Sequence, residues 1–337
     1  MPLNSGRSAT LGGAPPVLID IAIAHSNTPF VSAYQFSFGF KTKYANPGTL
    51  PAGTGLDVRF DPAGLNIAVS HVGTPFVTAY PWLLGFGTKY ANPGSLPAGN
   101  GFGVAFAPSG AHIAVAHTNS PTVSAYPFSS GFGTKYSNPA STPGVNGLGV
   151  SFSPSGAHIA VGVGDTPYVN AYNFSAGFGT KFANPGVALP NSGNQPVFSP
   201  SGNNIVIAHS APVNVAAYPW SPGFGTKYAD PSVPIPSSGF GADFSPTGTD
   251  IAIAHDGTPF VSVYPFASGF GTKYGNPAIL PAGTGRQIAF NTLGPDIAIA
   301  HATTPFVSVY PFASGFGTKY ANPGSLPAGD GRGVDFT

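Results

Sequence analysis

The stretch AYPFSSGFGTKYSNP, residues 125–139, recurs in seven versions along the chain and decides the fold. Its tyrosine returns every 46 residues without an insertion or a deletion. The seven equivalent positions are Tyr34, Tyr80, Tyr126, Tyr172, Tyr218, Tyr264 and Tyr310. A repeat without gaps over most of a 337-residue chain predicts one domain built from equal parts.

Composition limits the class of protein. The 47 glycines and 38 prolines return at fixed offsets in each repeat, which is typical of turns and not of low complexity. Only 7% of residues are charged, the net charge is +1, and glutamate and cysteine are absent. No segment is apolar over a length that spans a bilayer. The composition therefore predicts neither nucleic-acid binding nor membrane insertion, and the lack of recognisable motifs predicts no catalytic site, cofactor or metal.

Each repeat predicts four short strands. Within residues 101–139, the runs GVAFAPSG, HIAVAHT, TVSAYPF and FGTKYSNP are separated by turn signals. In the second run of the first repeat, Ile21 and Ile23 alternate with Ala22 and Ala24, so one face is bulky and the other small. Both faces are apolar, and such a sheet must be covered on both sides.

A radial array of sheets meets this demand, because each sheet lies between two neighbours. We therefore predict an all-β, seven-bladed β-propeller over residues 17–337, with four antiparallel strands per blade and an N-terminal arm over residues 1–16. The first strand of a repeat ends in a phenylalanine whose seventh copy is Phe336, next to the C-terminus. One blade is thus expected to be closed by pairing of N-terminal strands with the C-terminal strand.

The order of these elements resembles WD-repeat propellers over residues 18–337. A strand, the turn FSPSG at 152–156, a second strand and a third strand ending in an aromatic residue carry the resemblance. The match is partial, since Tyr126-Pro127 stands where WD repeats have Trp-Asp, and the Gly-His pair before the first strand is absent. The repeats of the type GFGTKYANP, as at 85–93, are also similar to WD-like repeats in predicted proteins of tailed phages.

Three residue types recur in nearly every repeat and favour structural roles. A histidine ends the second strand in six repeats, and equivalent positions on adjacent blades lie too far apart to share a metal, so a hydrogen bond to the nearby turn is expected. A lysine in the fourth strand protects an exposed sheet edge, or else recruits an acidic partner. The aromatic positions of Tyr34, Phe36 and Tyr44 pack between sheets, or else stack on sugars.

Two offsets differ among the repeats and are the candidate interaction positions. They are expected to line one mouth and the bore of the central channel, although neutral drift at a tolerant surface is the alternative. The first offset comprises Leu56, Phe102, Leu148, Asn194, Phe240, Arg286 and Arg332, and the second comprises Arg59, Ala105, Ser151, Val197, Asp243, Ala289 and Asp335. Arg59 and Asp335 fall on adjacent blades, so we predict an ion pair within about 4 Å.

Three functions are compatible with these patterns. The leading hypothesis is a non-enzymatic interaction module, a capsid-decorating or tail-associated component on the surface of a phage virion that binds other virion proteins. The second is a lectin-like propeller that binds a glycan. The third is a hydrolase or lactonase with its site in the channel, which requires a metal or convergent acidic side chains in the bore.

Overall fold

The computed structural model describes residues 19–337, and the predicted arm at residues 1–16 lies outside this range. The described chain consists of 23 β-strands without a helix, so none of its elements is a helix able to cross a membrane. The strands form seven sheets of three or four antiparallel strands. The prediction of an all-β protein is confirmed, and the seven sheets are consistent with a seven-bladed β-propeller.

The strands fall into four sets according to their position in the sheet. The inner strands are β4 (Gly55–Phe60), β7 (Gly101–Phe106), β10 (Gly147–Phe152), β14 (Gly193–Phe198), β17 (Gly239–Phe244), β20 (Gly285–Phe290) and β23 (Gly331–Phe336). The second strands are β1 (Ile19–His25), β5 (Asn66–His71), β8 (His112–His117), β11 (His158–Val163), β15 (Asn204–His209), β18 (Asp250–His255) and β21 (Asp296–His301). The third strands are β2 (Val31–Phe36), β6 (Val77–Pro81), β9 (Val123–Pro127), β12 (Val169–Phe174), β16 (Val215–Pro219), β19 (Val261–Pro265) and β22 (Val307–Pro311). The fourth strands are β3 (Phe40–Lys43) and β13 (Phe178–Lys181).

The inner strands contact one another in chain order, and β23 contacts both β20 and β4. One sheet combines strands from both ends of the described chain, in the order β23-β1-β2-β3. Its register places Ile21 opposite Phe336 and Ile23 opposite Val334. The contacts between sheets therefore run around a ring, with the inner strands next to its axis.

The core consists of seven apolar clusters, and each cluster joins two neighbouring sheets. In one of them Ala22 and Ala24 of β1 lie in the same cluster as Ile67 and Val69 of β5, and all four side chains are fully buried. The small face of one sheet thus packs on the bulky face of the next, and both apolar faces are covered, as the alternation of isoleucine and alanine predicted. Burial of each such bulky side chain contributes about 2 kcal/mol.

The repeated tyrosine fastens each sheet to the loop that leads into it. The Tyr126 side chain is fully buried, and its hydroxyl donates a hydrogen bond to the Ser95 carbonyl oxygen at 2.9 Å. The other six tyrosines donate in the same way to a loop carbonyl at 2.7 to 2.8 Å. The most regular residue of the sequence is therefore part of the scaffold.

Replacing one of these tyrosines tests that role. Tyr126→Phe leaves the Ser95 carbonyl without its donor, so we expect the free energy of unfolding in urea to fall by about 1 to 2 kcal/mol. The control is Tyr168→Phe, at a partly buried position where four other repeats already carry phenylalanine, and it should change stability by less than about 0.5 kcal/mol. Equal effects of the two substitutions would contradict the role of the hydroxyl.

The prediction of four strands in every blade is wrong for five of the seven sheets. These five contain three strands, and only an isolated bridge, such as Trp82 opposite Phe86, marks the fourth. Each has proline directly after the repeated tyrosine, as at Pro81, whereas the two complete sheets have Gln35 and Asn173 there. Proline has no N–H to donate to an outer strand, so the ladder stops at this position.

A proline replacement should restore the missing strand. In Pro127→Gln, the new N–H can donate to the outer segment, so we expect amide exchange within residues 126–136 to slow by at least about tenfold. The reverse change, Gln35→Pro, should speed exchange in the segment of β3. Unchanged exchange in both variants, measured by mass spectrometry, would show that the proline does not decide the strand count.

The histidine and aromatic side chains that recur in the repeats are buried within and between the sheets. The His25 and His117 Nε2 atoms lie 3.0 and 2.9 Å from the hydroxyls of Ser32 and Ser124 on the third strand, so a neighbouring strand supplies one partner. His117 Nδ1 also lies 2.8 Å from the Thr118 carbonyl oxygen, which belongs to the expected turn. Trp82 and Trp220 are only 3% and 4% exposed. These aromatic side chains pack between sheets and do not form a platform for a sugar.

Candidate channel site

One cavity is lined by a residue from every inner strand. Its volume is about 250 Å³, and we call it the mouth cavity. Its lining contains all seven residues of the first variable offset, namely Leu56, Phe102, Leu148, Asn194, Phe240, Arg286 and Arg332, together with Asp57, Gln195 and Gln287. A cavity that every sheet lines in this way lies on the axis of the ring.

A second cavity of about 610 Å³, the bore cavity, adjoins the first, because Gln195 lines both. Its lining includes six residues of the second variable offset, namely Arg59, Ala105, Ser151, Val197, Asp243 and Asp335. The seventh, Ala289, is buried. Thirteen of the fourteen positions at the two offsets thus line two adjoining cavities. They include Arg59, Phe102, Asn194, Phe240, Asp243, Arg286, Arg332 and Asp335, the charged, aromatic and amide residues that were the strongest candidates. The size of the bore cavity is usual for a small-molecule site.

A guanidinium group and three carboxyl groups form the charged centre of the bore. Arg59 Nη1 lies 3.6 Å from Asp335 Oδ1, which confirms the predicted ion pair. Arg59 Nε lies 3.5 Å from Asp57 Oδ2. The Arg59 and Asp335 side chains keep 19% of their surface exposed, so the cavity can admit a ligand to them, whereas Asp57 is 5% exposed.

Backbone hydrogen bonds between adjacent inner strands hold each carboxylate in place. Asp335 Oδ2 accepts from the Phe60 N–H at 2.8 Å, and Asp243 Oδ2 accepts from the Phe290 N–H at 2.8 Å. In both cases the donor belongs to the next inner strand of the ring. The same inter-strand contacts that build the ring therefore also orient the acidic side chains.

Burial sets the charge state of this centre. It raises the pKa of Asp335 to about 7, with smaller upward contributions from Asp243 and Asp57, against the opposing effect of Arg59. Burial also raises the pKa of Asp243 to about 6, while the Phe290 N–H and Arg59 oppose the increase. Although burial disfavours its charge, the three aspartates raise the pKa of Arg59 above its ordinary value. At neutral pH the centre thus holds one permanent cation, with Asp335 near its titration midpoint and Asp243 mostly ionised. Burial also raises the pKa of Asp57, against the effect of Arg59.

Asp57, Gln195 and Gln287 were not among the candidates from the sequence. Each of them directly follows a residue of the first variable offset, as Asp57 follows Leu56. The other four repeats carry glycine at this position, namely Gly103, Gly149, Gly241 and Gly333. A Cβ atom at Gly333 would lie 2.7 Å from Asp57 Cα, so adjacent inner strands approach too closely for two side chains. Three polar residues among four glycines was the signal that could have identified them.

The cationic part of the mouth cavity lies on two neighbouring inner strands. The Arg286 guanidinium lies 5.2 Å from the centre of the Phe240 ring, and Arg332 Nη2 lies 3.5 Å from Asp330 Oδ2. Asn194 Nδ2 donates to the Gly239 carbonyl at 2.6 Å, which joins two inner strands at the rim. In residues 19–337 no group of three or more histidine or acidic side chains is placed to hold a metal ion.

Comparisons with known proteins identify the fold. No protein-family model matches the sequence, and no curated protein matches it significantly. Among solved structures, a candidate 6-phosphogluconolactonase from Bacteroides fragilis has a TM-score of 0.71 at 13% identity, covering 95% of this chain and 98% of the other. The periplasmic gluconolactonase of Pseudomonas aeruginosa has a TM-score of 0.71 at 13% identity, covering 95% and 99%. A protein of unknown function from Desulfotomaculum acetoxidans has a TM-score of 0.70 at 14% identity, covering 94% and 98%.

These comparisons correct the leading functional hypothesis. The similar structures include proteins named as lactonases, which contradicts the expectation of a non-enzymatic phage virion component, and they support neither the WD-repeat resemblance nor the virion location. At 12 to 14% identity the likeness itself defines the fold. In the sequence, the repeated and weakly charged pattern favoured an interaction module, because the acidic side chains converge only in the folded bore.

Proposed function

We propose that the protein is a hydrolase of cyclic esters, with its active site at Arg59, Asp243 and Asp335 in the bore cavity. The observation that carries the proposal is that Asp243 and Asp335 line the same cavity as Arg59, where burial raises their pKa values to about 6 and about 7. A group that titrates near the working pH is an efficient acid or base catalyst. The lactonase names among proteins of this fold support the same reaction class.

The roles of the two carboxyl groups follow from their pKa values. At pH 6 to 7 Asp243, with the lower pKa, is mostly ionised and takes a proton from water, whose oxygen attacks the lactone carbonyl carbon. Asp335, with the higher pKa, is mostly protonated and donates to the ring oxygen as the carbon–oxygen bond breaks. Water and lactone thus yield one hydroxy acid, and the proton on Asp243 restores Asp335 at the end of the cycle.

Arg59 completes this arrangement. Protonation of Asp335 removes the negative charge that lies 3.6 Å from Arg59 Nη1, so this donor becomes available to the oxyanion that forms on the carbonyl. A fixed donor at that point contributes about 3 to 4 kcal/mol to the lowering of the barrier. Asp57 stays beside Arg59 Nε and holds the guanidinium in place.

The experiment is a search for lactone hydrolysis by pH-stat titration at pH 6.5. A panel of γ- and δ-lactones, including gluconolactone and alkyl-substituted rings, should contain members that the protein hydrolyses well above their spontaneous rate. The control is Lys319→Gln at the outer edge, which should retain full activity because Lys319 is remote from the bore. Spontaneous rates for the whole panel, with folded protein present, would contradict the proposal.

A further inference from the structure

The lining of the mouth cavity is divided into two sides. Leu56, Phe102 and Leu148 come from β4, β7 and β10, which are consecutive around the ring. The remaining four strands carry Asn194, Phe240, Arg286 and Arg332. A ligand on the axis therefore meets an apolar wall on one side and a polar, cationic wall on the other.

The two arginines of the cationic wall have hydrogen-bond donors that an anion could accept from. Burial and the neighbouring Arg332 charge lower the pKa of Arg286, which shows that the two cations lie within each other's field. Within residues 19–337, the buried Nε atoms of Arg286 and Arg332 have no hydrogen-bond acceptor. A buried donor without a partner destabilises the folded protein, and a bound acceptor would relieve that cost.

The acidic groups near this wall do not cancel its charge. Asp330 contacts Arg332 at 3.5 Å, but its side chain is 40% exposed, so solvent weakens the pair. Asp57, the one carboxylate in the lining, is engaged by Arg59 and by the N–H groups of Val58 and Val104. Asp330 and Asp256 also act on Arg286, but each raises its pKa by less than burial and the Arg332 charge lower it. The Arg286 guanidinium itself lies against the face of Phe240.

The geometry points to an amphipathic anion as the ligand of the mouth cavity, with its carboxylate or phosphate on Arg286 and Arg332 and its hydrocarbon part on Leu56, Phe102 and Leu148. Two arginines suit such a group because their N–H donors match its oxygens. The apolar wall disfavours a polyhydroxylated sugar acid, since Leu56, Phe102 and Leu148 offer its hydroxyls no partner and the Asp57 carboxylate next to Leu56 is already engaged. This inference deepens the proposed function, on which it rests for the identity of the anion as substrate or product.

Binding can be measured without turnover. Isothermal titration at pH 7 would use octanoate and octyl phosphate as amphipathic probes, with gluconate, inorganic phosphate and octanol as partial probes. We expect one of the two amphipathic anions to bind at least about tenfold more tightly than every partial probe. Tighter binding of octanoate would identify a carboxylate ligand, and tighter binding of octyl phosphate a phosphate ligand.

Two variants separate the two walls. The double variant Arg286→Gln, Arg332→Gln should weaken the amphipathic anion at least about tenfold, and Leu148→Asn should weaken it while leaving inorganic phosphate unchanged. Lys319→Gln should bind like the wild type. Gluconate binding as tightly as octanoate, or binding that ignores both arginines, would overturn the inference. Lactone hydrolysis without such binding would refute this inference alone, and binding without hydrolysis would refute only the proposed function.

Discussion

Asp243→Asn is expected to lower kcat/KM for lactone hydrolysis by a factor of about 10² to 10⁴, the usual contribution of a positioned base. Asparagine is isosteric with aspartate and can still accept the Phe290 N–H that aspartate accepts at 2.8 Å. The fold should therefore persist while the group that takes the proton from water is lost. Asp335→Asn should give a loss of the same order, because it removes the proton donor to the leaving oxygen.

Two measurements distinguish catalysis from a structural effect in these variants. Urea unfolding, followed by the fluorescence of Trp82 and Trp220, should show that both variants unfold in a single transition. The double variant should lose little more activity than either single variant, since the two carboxyl groups act in one proton cycle. Wild-type rates in both single variants would remove these aspartates from the active site.

Acidification from pH 7 to pH 5 is expected to lower the free energy of unfolding by about 6 kcal/mol. Burial lowers the pKa of five histidines, each at most 2% exposed, from 6.5 to about 4, namely His25, His71, His209, His255 and His301. The unfolded chain therefore binds more protons than the folded one between pH 6.5 and pH 4, and stability falls as the pH falls through this window. Each histidine costs about 2 kcal/mol at pH 5, or about 10 kcal/mol together.

The bore carboxyl groups act in the opposite direction. Their folded pKa values are raised, so protonation of Asp243 and Asp335 favours the folded state as the pH falls, by about 4 kcal/mol together at pH 5. Subtracting this gain of about 4 kcal/mol from the histidine cost of about 10 kcal/mol gives the expected net loss of about 6 kcal/mol in the free energy of unfolding. Guanidinium unfolding at pH 7 and pH 5 measures it, and equal stability at the two values would show that the histidines do not remain neutral in the fold.

His209→Val is the matched control for this effect. Valine already occupies the equivalent position at Val163, and the third strand beside His209 carries Ala216 where other repeats carry the hydroxyl partner. The substitution therefore removes one titrating group without leaving a hydroxyl unpaired. We expect it to reduce the loss of stability between pH 7 and pH 5 by about 2 kcal/mol.

The scaffold was largely predictable because the residues that specify it lie close together in the sequence and recur in every repeat. The spacing of the tyrosines, the isoleucine and alanine alternation and the turn residues predicted the sheets and their two covered faces. The number of strands per sheet was predicted wrongly for five of the seven sheets, because one missing N–H, as at Pro81 or Pro127, ends the ladder in a segment whose other residues favour a strand.

The candidate site was predictable in part. Comparison of the repeats identified the positions of Arg59, Asp243 and Asp335, since they differ among copies that otherwise agree. Their raised pKa values depend on burial in the bore, which no single repeat encodes. The eleven aspartates are scattered along the sequence, so no local motif indicated a pair of catalytic carboxyl groups, and a non-enzymatic function was predicted.

The pH dependence of kcat/KM for wild-type lactone hydrolysis tests the central claim most directly. We predict a bell-shaped profile, corrected for spontaneous hydrolysis, with limbs at pH about 6 and about 7 that reflect the shared titration of Asp243 and Asp335. Both limbs should be lost in the residual activity of the two asparagine variants. A rate above background with no titration between pH 5.5 and pH 8 would contradict catalysis by these two carboxyl groups.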